Sequence, residues 1–348
     1  MRFTASRVKC RCVKCVLPMT SAAARLVARS ISCFIAVLPY RKLPFWLPAP
    51  PITTRYSSNS VPANLSRSKV CQVCRWADPA PALSFTQRKD MTMATQSHHD
   101  NVEKQFGSQA KAYLTSQVHA TGRDLVHLRE RLAAFPQARL LDLGCGAGHA
   151  SFTAAEQVRE VVAYDLSSSM LTVVEETARE RGLTHLSTCQ GYAESLPFEA
   201  ESFDIVISRY SAHHWHDVGL ALREVKRVLK PGGMMIMMDI LSPGHPVLDI
   251  WLQTIEALRD TSHVHNYASG EWLQMFNQAG LITREVRTDR LELEFGSWIA
   301  RMRTPDVLAQ AIRLYQQSAS AEVQRYFALQ EDGSFTSDTI IVEVNKAA

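Results

Sequence analysis

Leu140-Leu141-Asp142-Leu143-Gly144-Cys145-Gly146-Ala147-Gly148-His149 is the stretch on which the fold turns. An apolar run carrying one acid closes in a turn where every second residue is glycine. Twenty-three residues beyond Asp142, a second apolar run, Val161-Val162-Ala163-Tyr164, ends in Asp165. A buried parallel strand, a tight loop against a ligand, a helix and a second strand produce this pattern. The glycines let the loop adopt positive φ and bring its backbone close to the ligand.

The spacing bears on the ligand. A dinucleotide fingerprint reads G-x-G-x-x-G. Here Gly144, Gly146 and Gly148 give G-x-G-x-G, and His149 stands where the third glycine of that fingerprint would be. Asp142, two residues before the first glycine, would repel a pyrophosphate. A ligand with an ammonium and a ribose but no phosphate tolerates acids at both strand ends, and S-adenosylmethionine is such a ligand. A plain strand–helix turn is the other reading of a lone glycine-rich loop.

Outward from this stretch, the composition divides the 348 residues in two. Met1 to Thr92 holds 15 Lys and Arg against 2 Asp and Glu, a net of +13, while the remainder stands at −9. Six of the eight cysteines and nine of the fifteen prolines lie in the first ninety residues. Cys12 and Cys15, with Cys71 and Cys74, form two C-x-x-C pairs, which as a zinc site would need a core that the intervening residues lack. An acid-poor, Arg-rich presequence and a basic tail for nucleic acid are further readings. The favoured expectation is a disordered extension over 1–92, outside the functional protein, with Met91 or Met93 as the real start. The acidic remainder speaks against nucleic acid as a partner. Its two cysteines, Cys145 and Cys189, suit a reducing compartment, so a cytoplasmic location is expected. No apolar run approaches the ~20 residues of a membrane span.

From about 97 onward the patterning is that of a globular chain. Val102, Phe106, Ala110 and Tyr113 share one helical face, and Gly122 separates a second helix with Leu125, Leu128 and Leu132. Phe106 and Tyr113 read as core packing or as an N-terminal lid over the ligand. Strands are expected over 139–143, 160–165, 186–190, 203–208 and 234–239, with helices between them, and a turn at Pro231-Gly232-Gly233. Strands alternating with helices imply a parallel sheet covered on both faces. Helices over 246–259 and 269–279, a strand over 282–295, a helical stretch over 297–329 and a late strand over 339–344 complete the chain.

Four blocks carry a family resemblance: Leu141 to Gly148; Tyr164-Asp165-Leu166-Ser167; Gly191-Tyr192-Ala193-Glu194-Ser195-Leu196-Pro197-Phe198; and Leu222-Arg223-Glu224-Val225 through Leu229-Lys230-Pro231-Gly232-Gly233. In this order and spacing the chain resembles the class I S-adenosylmethionine-dependent methyltransferases. It is most similar to the branch with the ubiquinone/menaquinone C-methyltransferases and the malonyl-carrier-protein O-methyltransferase. The residues from about 93 onward look like the enterobacterial YafE-type members.

The resemblance implies an α/β fold: a doubly wound, mainly parallel seven-stranded sheet, Rossmann-like, with a helical cap inserted before an antiparallel last strand. The methyltransferase domain would span 93–348, with its core at 139–240 and its cap at about 296–330. S-adenosylmethionine would be the cofactor, a small molecule the acceptor, and no metal is called for. Gly144, Cys145, Gly146 and Gly148 would cradle the cofactor. Asp142 would meet its methionine end and Asp165 its ribose hydroxyls. Leu166 and Met170 would flank the adenine, although Met170 also suits simple core packing. Tyr192 replaces the family's usual Asp, which leaves the adenine contact to the Ala193 backbone and Glu194. Arg209, at the end of the fourth strand, is expected beside the cofactor by topology.

Methyl transfer needs an aligned nucleophile, and a base only where the nucleophile starts protonated. Tyr210-Ser211-Ala212-His213-His214-Trp215-His216-Asp217 follows the fourth strand, so His213 and His214 are the base candidates. A structural or cofactor-shielding role is the competing reading. At the start of the insertion, Trp298, Arg301 and Arg303, with Tyr113 from the N-terminal helix, are candidate acceptor contacts, the arginines suiting an acidic group. A nicotinamide-dependent oxidoreductase and a non-catalytic cofactor-binding module are the alternative functions.

Overall fold

In the computed structural model, residues 97–107 and 122–348 are described. The expected 1–92 extension and Tyr113 lie outside them.

The strands are β1 (Arg139–Leu143), β2 (Glu160–Asp165), β3 (Leu186–Gln190), β4 (Phe203–Arg209), β5 (Leu229–Leu241), β6 (Leu281–Leu293) and β7 (Phe335–Lys346). They form one sheet in the order β3-β2-β1-β4-β5-β7-β6. β1 to β5 pair in parallel, and β7 runs antiparallel between β5 and β6. The order reverses between β1 and β4, which opens a crevice at their carboxyl ends.

The helices are α1 (His98–Gly107), α2 (Arg123–Leu132), α3 (His149–Ala155), α4 (Ser168–Glu180), α5 (Val218–Val228), α6 (Pro246–Arg259), α7 (Ser269–Ala279), α8 (Phe295–Met302), α9 (Asp306–Gln317) and α10 (Ala321–Tyr326). Period-two alternation sorts the strands onto two cores. Leu141, Val206, Met235 and Met237 pack with Leu222 and Val225 of α5 and with Trp272 and Phe276 of α7. Leu140, Ile205, Ile207, Ile236 and Met238 pack on the other face with Leu128, Leu132, Ala150 and Ala154. β6, at the sheet edge, carries Arg284, Glu285, Arg287, Asp289, Arg290 and Glu292 on a largely exposed strand, a charge density that resists pairing with another chain.

The Pro231-Gly232-Gly233 turn lies inside β5. Phe203 pairs with Leu229, but Ile205 pairs with Met234, so residues 230–233 bulge out of the β4–β5 ladder. Gly232 takes φ +74°, and its carbonyl accepts from Asn345 Nδ2 of β7 at 3.1 Å. A neighbouring strand thus absorbs the turn and extends the strand across it.

The helical stretch before β7 is three helices, α8, α9 and α10. They share a core of their own with α6, built from Trp251, Leu252, Ile255, Trp298, Ile312, Val323, Phe327 and Phe335. No helix among the described residues is long and apolar enough to cross a membrane.

Candidate functional site

The sheet crevice holds a cleft of about 1040 Å³, its open mouth included. The β1–α3 loop forms its floor. Gly144, Gly146 and Gly148 have φ of +73°, +51° and +87°. A side chain at Gly144 would strike Ser211, whose Oγ lies 1.9 Å from an ideal Cβ. A Cβ on Gly146 would meet nothing within 4 Å and would enter the open cleft.

Gly148 differs from the expectation. It is the left-handed cap of α3, and its missing Cβ makes room for Phe152 and Val174, whereas the neighbours Ala147 and His149 line the cleft.

Both strand-end acids line the cleft. Asp165 accepts from the Gly146 N–H at 2.8 Å through Oδ2 and from the Ser167 N–H at 2.8 Å through Oδ1, so it also braces the loop. Burial raises its pKa against those hydrogen bonds. Asp142 is fully buried. Its Oδ2 accepts from Ser151 Oγ at 2.6 Å, while Oδ1 has no partner. Burial pushes this carboxyl up to about 7, against the pull of the Ser151 hydrogen bond.

Cys145, Leu166, Met170, Ala193, Glu194 and Arg209 also line the cleft. Three of them are engaged elsewhere as well. Met170 is buried in α4 beside Ala147 and Val173. Glu194 Oε1 accepts from the His216 and Asp217 N–H groups at 2.9 and 3.1 Å, which ties the β3 loop to the start of α5. Arg209 pairs with Asp124 of α2, both largely buried. Tyr164, which the sequence offered only as part of an apolar run and a family block, also lines the cleft: its hydroxyl donates to Tyr192 O at 3.0 Å and runs beside Gly191, where any Cβ would collide with it.

Helix α1 crosses the mouth. His99, Val102 and Phe106 line the cleft, and the His99 ring lies 4.4 Å from that of Tyr192. Three side chains fasten α1 to backbone carbonyls. His98 Nε2 meets His214 O at 2.8 Å, and Asn101 and Gln105 donate to Thr261 O and Met302 O at 2.8 and 3.0 Å.

A second cavity of about 600 Å³, measured in the same way, lies against the cap. Phe106, Tyr210 and His214 line both cavities. His213 lines the second, together with Ile240, Leu291 and Leu293, and with Glu256, Arg259, Asn266, Trp298 and Arg301. Of the expected acceptor contacts, Trp298 and Arg301 are therefore placed here. Arg303 is not: it is the exposed, left-handed cap of α8 at φ +48° and lines neither cavity.

Asp239, at the carboxyl end of β5, organises the histidine loop. Its Oδ1 lies 2.5 Å from His213 Nδ1, and its Oδ2 accepts from the Ala212 N–H at 3.1 Å. Burial alone would lower the His213 pKa; Asp239, Glu256 and Asp260 outweigh it and raise the value. His214 behaves oppositely. Burial and the neighbouring His213 take it down to about 4, so it is neutral and donates Nδ1–H to Ser262 O at 3.1 Å. The signal that could have revealed Asp239 is the one that revealed Asp142 and Asp165: an acid at the end of an apolar strand. Tyr210, at φ +50° between the two cavities, carried no such signal. No group of three or more His, Cys, Asp or Glu among the described residues is arranged to hold a metal ion.

Comparison with known proteins agrees with this geometry. Residues 141–237 match the family model described as a methyltransferase domain. The chain is 66% identical over 205 residues to the uncharacterized protein YafE of Escherichia coli K12, covering 59% of this chain and 99% of that one. It is 36% identical over 227 residues to the uncharacterized methyltransferase YcgJ of Bacillus subtilis, covering 65% of this chain and 90% of YcgJ. The YcgJ crystal structure superposes with a TM-score of 0.63 over 66% of this chain and 100% of that chain. A demethylmenaquinone methyltransferase of Lactococcus lactis is 36% identical over 120 residues, 34% of this chain and 46% of that protein.

Proposed function

The chain belongs to the methyltransferase-domain family, and from that premise we propose that it transfers a methyl group from S-adenosylmethionine to a small molecule seated in the second cavity. The observation that carries this reading is the adjacency of the two cavities, which share Phe106, Tyr210 and His214 in their linings. One cavity suits the cofactor and the other an acceptor.

The first cleft fits the cofactor on two counts. Gly146 presents bare backbone to open space, and Asp142 keeps one buried carboxylate oxygen without a partner, which suits an ammonium. When bound, S-adenosylmethionine supplies a methyl carbon on a sulfonium, displaced in line by an acceptor lone pair as the carbon–sulfur bonding pair returns to sulfur. Asp142 receives the ammonium of the methionine end. Asp165 receives the ribose hydroxyls while keeping hold of the Gly146 N–H. Leu166, Met170 and the Ala193 backbone enclose the adenine beside Tyr192. Glu194 and Arg209 serve this cleft mainly as struts, through the start of α5 and through α2. The α1 helix covers the mouth and excludes water, which strengthens each of these contacts.

In the second cavity, His213 takes the proton of an acceptor that begins protonated. Asp239 holds its Nδ1–H, so the free Nε2 is the basic nitrogen. Neutral His214 packs edge-on against Phe106, with ring centroids 4.8 Å apart, and both stand in the lining that the two cavities share. Because His213 must be neutral to act, the rate rises with pH through its elevated pKa.

The test is transfer of label from methyl-labelled S-adenosylmethionine to components of a cell extract, using the wild-type protein and His213→Gln. The wild type should label a small-molecule fraction. His213→Gln should lose on the order of 10²-fold or more in rate with unchanged cofactor affinity. Wild-type rates in His213→Gln would remove the base role. A wild-type protein that neither binds the cofactor nor transfers label would remove the whole reading.

A further inference from the structure

The second cavity has a chemical bias that methyl transfer does not require. Three buried N–H groups in its lining residues have no acceptor: Asn266 Nδ2, Arg259 Nε and Trp298 Nε1. Asn266 is 1% exposed. Its position is fixed through its backbone, since Gln253 donates to Asn266 O at 2.7 Å and accepts from Asn266 N at 3.0 Å. Arg259 lies over the Trp298 ring, 4.8 Å from its centroid, which holds the guanidinium plane in place. A buried donor without an acceptor costs roughly 1–3 kcal/mol. Among the described residues, three such donors belong to side chains that line one cavity, which favours a ligand that supplies oxygens.

The carboxylates of the cavity are already engaged. Glu256 Oε2 accepts from Arg259 Nη1 at 2.9 Å, and Asp239 holds His213. Arg301 adds a second guanidinium to the wall. Arg259, Asn266, Trp298 and Arg301 line only the second cavity, and Ile240, Leu291 and Leu293 add an apolar part to its lining. The lining therefore combines an oxygen-seeking group of side chains with a short apolar side.

We propose that the acceptor is a small carboxylic acid with a short apolar body, held by its carboxylate at Arg259, Asn266 and Arg301. This rests on the second cavity being the acceptor site, and it adds the class of molecule. Arg259 offers Nε–H while its Nη1 stays on Glu256, and a guanidinium receives a planar carboxylate better than an ammonium group does.

The test measures binding of simple probes to protein saturated with S-adenosylhomocysteine, by calorimetry. The probes are propionate, glycolate and benzoate, their uncharged amides, and the cations ethylammonium and benzylammonium. At least one carboxylate should bind, with its amide at least about tenfold weaker and the cations weaker still. Asn266→Ala and Arg259→Met should each weaken the carboxylate by about tenfold or more and leave S-adenosylhomocysteine affinity unchanged. Arg259→Lys, which keeps charge and bulk but loses the planar donors, should also lose affinity; with the wild-type probe series it covers the case in which Arg259→Met does not fold. Equal binding of acid and amide, preference for a cation, or no response to any carboxylate would overturn the proposal. Failure to bind S-adenosylhomocysteine would instead fall on the methyl-transfer reading, so the two failures are distinguishable.

Discussion

The two cavities are assembled differently. The first cleft takes most of its lining from one stretch, residues 142–194, with its loop of alternating glycines, two strand-end acids and the β3 loop, and α1 and residues 209–215 complete it. The second cavity gathers its lining from α1, the β4 loop, β5, α6, the α6–α7 connection, β6 and α8. A backbone-built site tolerates few residue types, because φ and close approach fix them. A site built of side chains from separate segments can change one wall at a time.

The largest effect that would break this contrast lies at Gly146. Gly146→Val puts a branched side chain into the open cleft and forces it to φ +51°, so S-adenosylmethionine affinity should fall by more than ~100-fold in calorimetry. The carboxylate wall of the acceptor cavity should remain intact. Retained cofactor affinity would show that the glycine loop is not the cradle.

A smaller effect comes from Asp142. Its pKa is about 7 in the folded chain against an ordinary 3.8, so the folded state keeps a proton that the unfolded state has lost. Its contribution to stability therefore falls as pH rises from about 4 to about 7. Seating a cofactor ammonium favours the carboxylate and expels that proton. Cofactor affinity should then rise by up to about tenfold per pH unit below 7 and level off above it. Calorimetry in buffers of different ionisation enthalpy reads the released proton directly. Asp142→Asn should flatten the profile, and a flat profile in the wild type would sink the assignment.

The smallest effect is expected at Arg303. It lines neither cavity, so Arg303→Ala should leave cofactor and carboxylate binding unchanged and shift stability by no more than about 0.5 kcal/mol. A loss of carboxylate affinity there would enlarge the acceptor wall beyond Arg301.

The same contrast explains what the sequence revealed. Gly144, Gly146, Asp142 and Asp165 were readable because a strand, a turn and a ligand leave few residues permitted at fixed spacings. The parallel sheet and the late antiparallel strand followed from the alternation of apolar runs and helices. Gly148 was readable as a positive-φ position, but Phe152 and Val174 fill the space beside it, a packing fact with no local signature. Asp239 and Asn266 stand 26 and 53 residues beyond His213, and only the sheet order and the α6–α7 connection bring them together. Trp298 and Arg301 were chosen for residue type at the head of the cap, and Arg303 for the same reason. The left-handed end of α8 turns the chain after Met302 and sends Arg303 outward.

Three of the bonds that fasten helix α1 grip main-chain carbonyls, those of His214, Thr261 and Met302. A latch that grips main chain is indifferent to the side chains beside it. Residues on the acceptor wall, Asn266 and Arg301 among them, can be exchanged without removing any of the three bonds. These three bonds thus survive changes in much of the second cavity's lining, and Phe106 is the point at which α1 itself enters that lining.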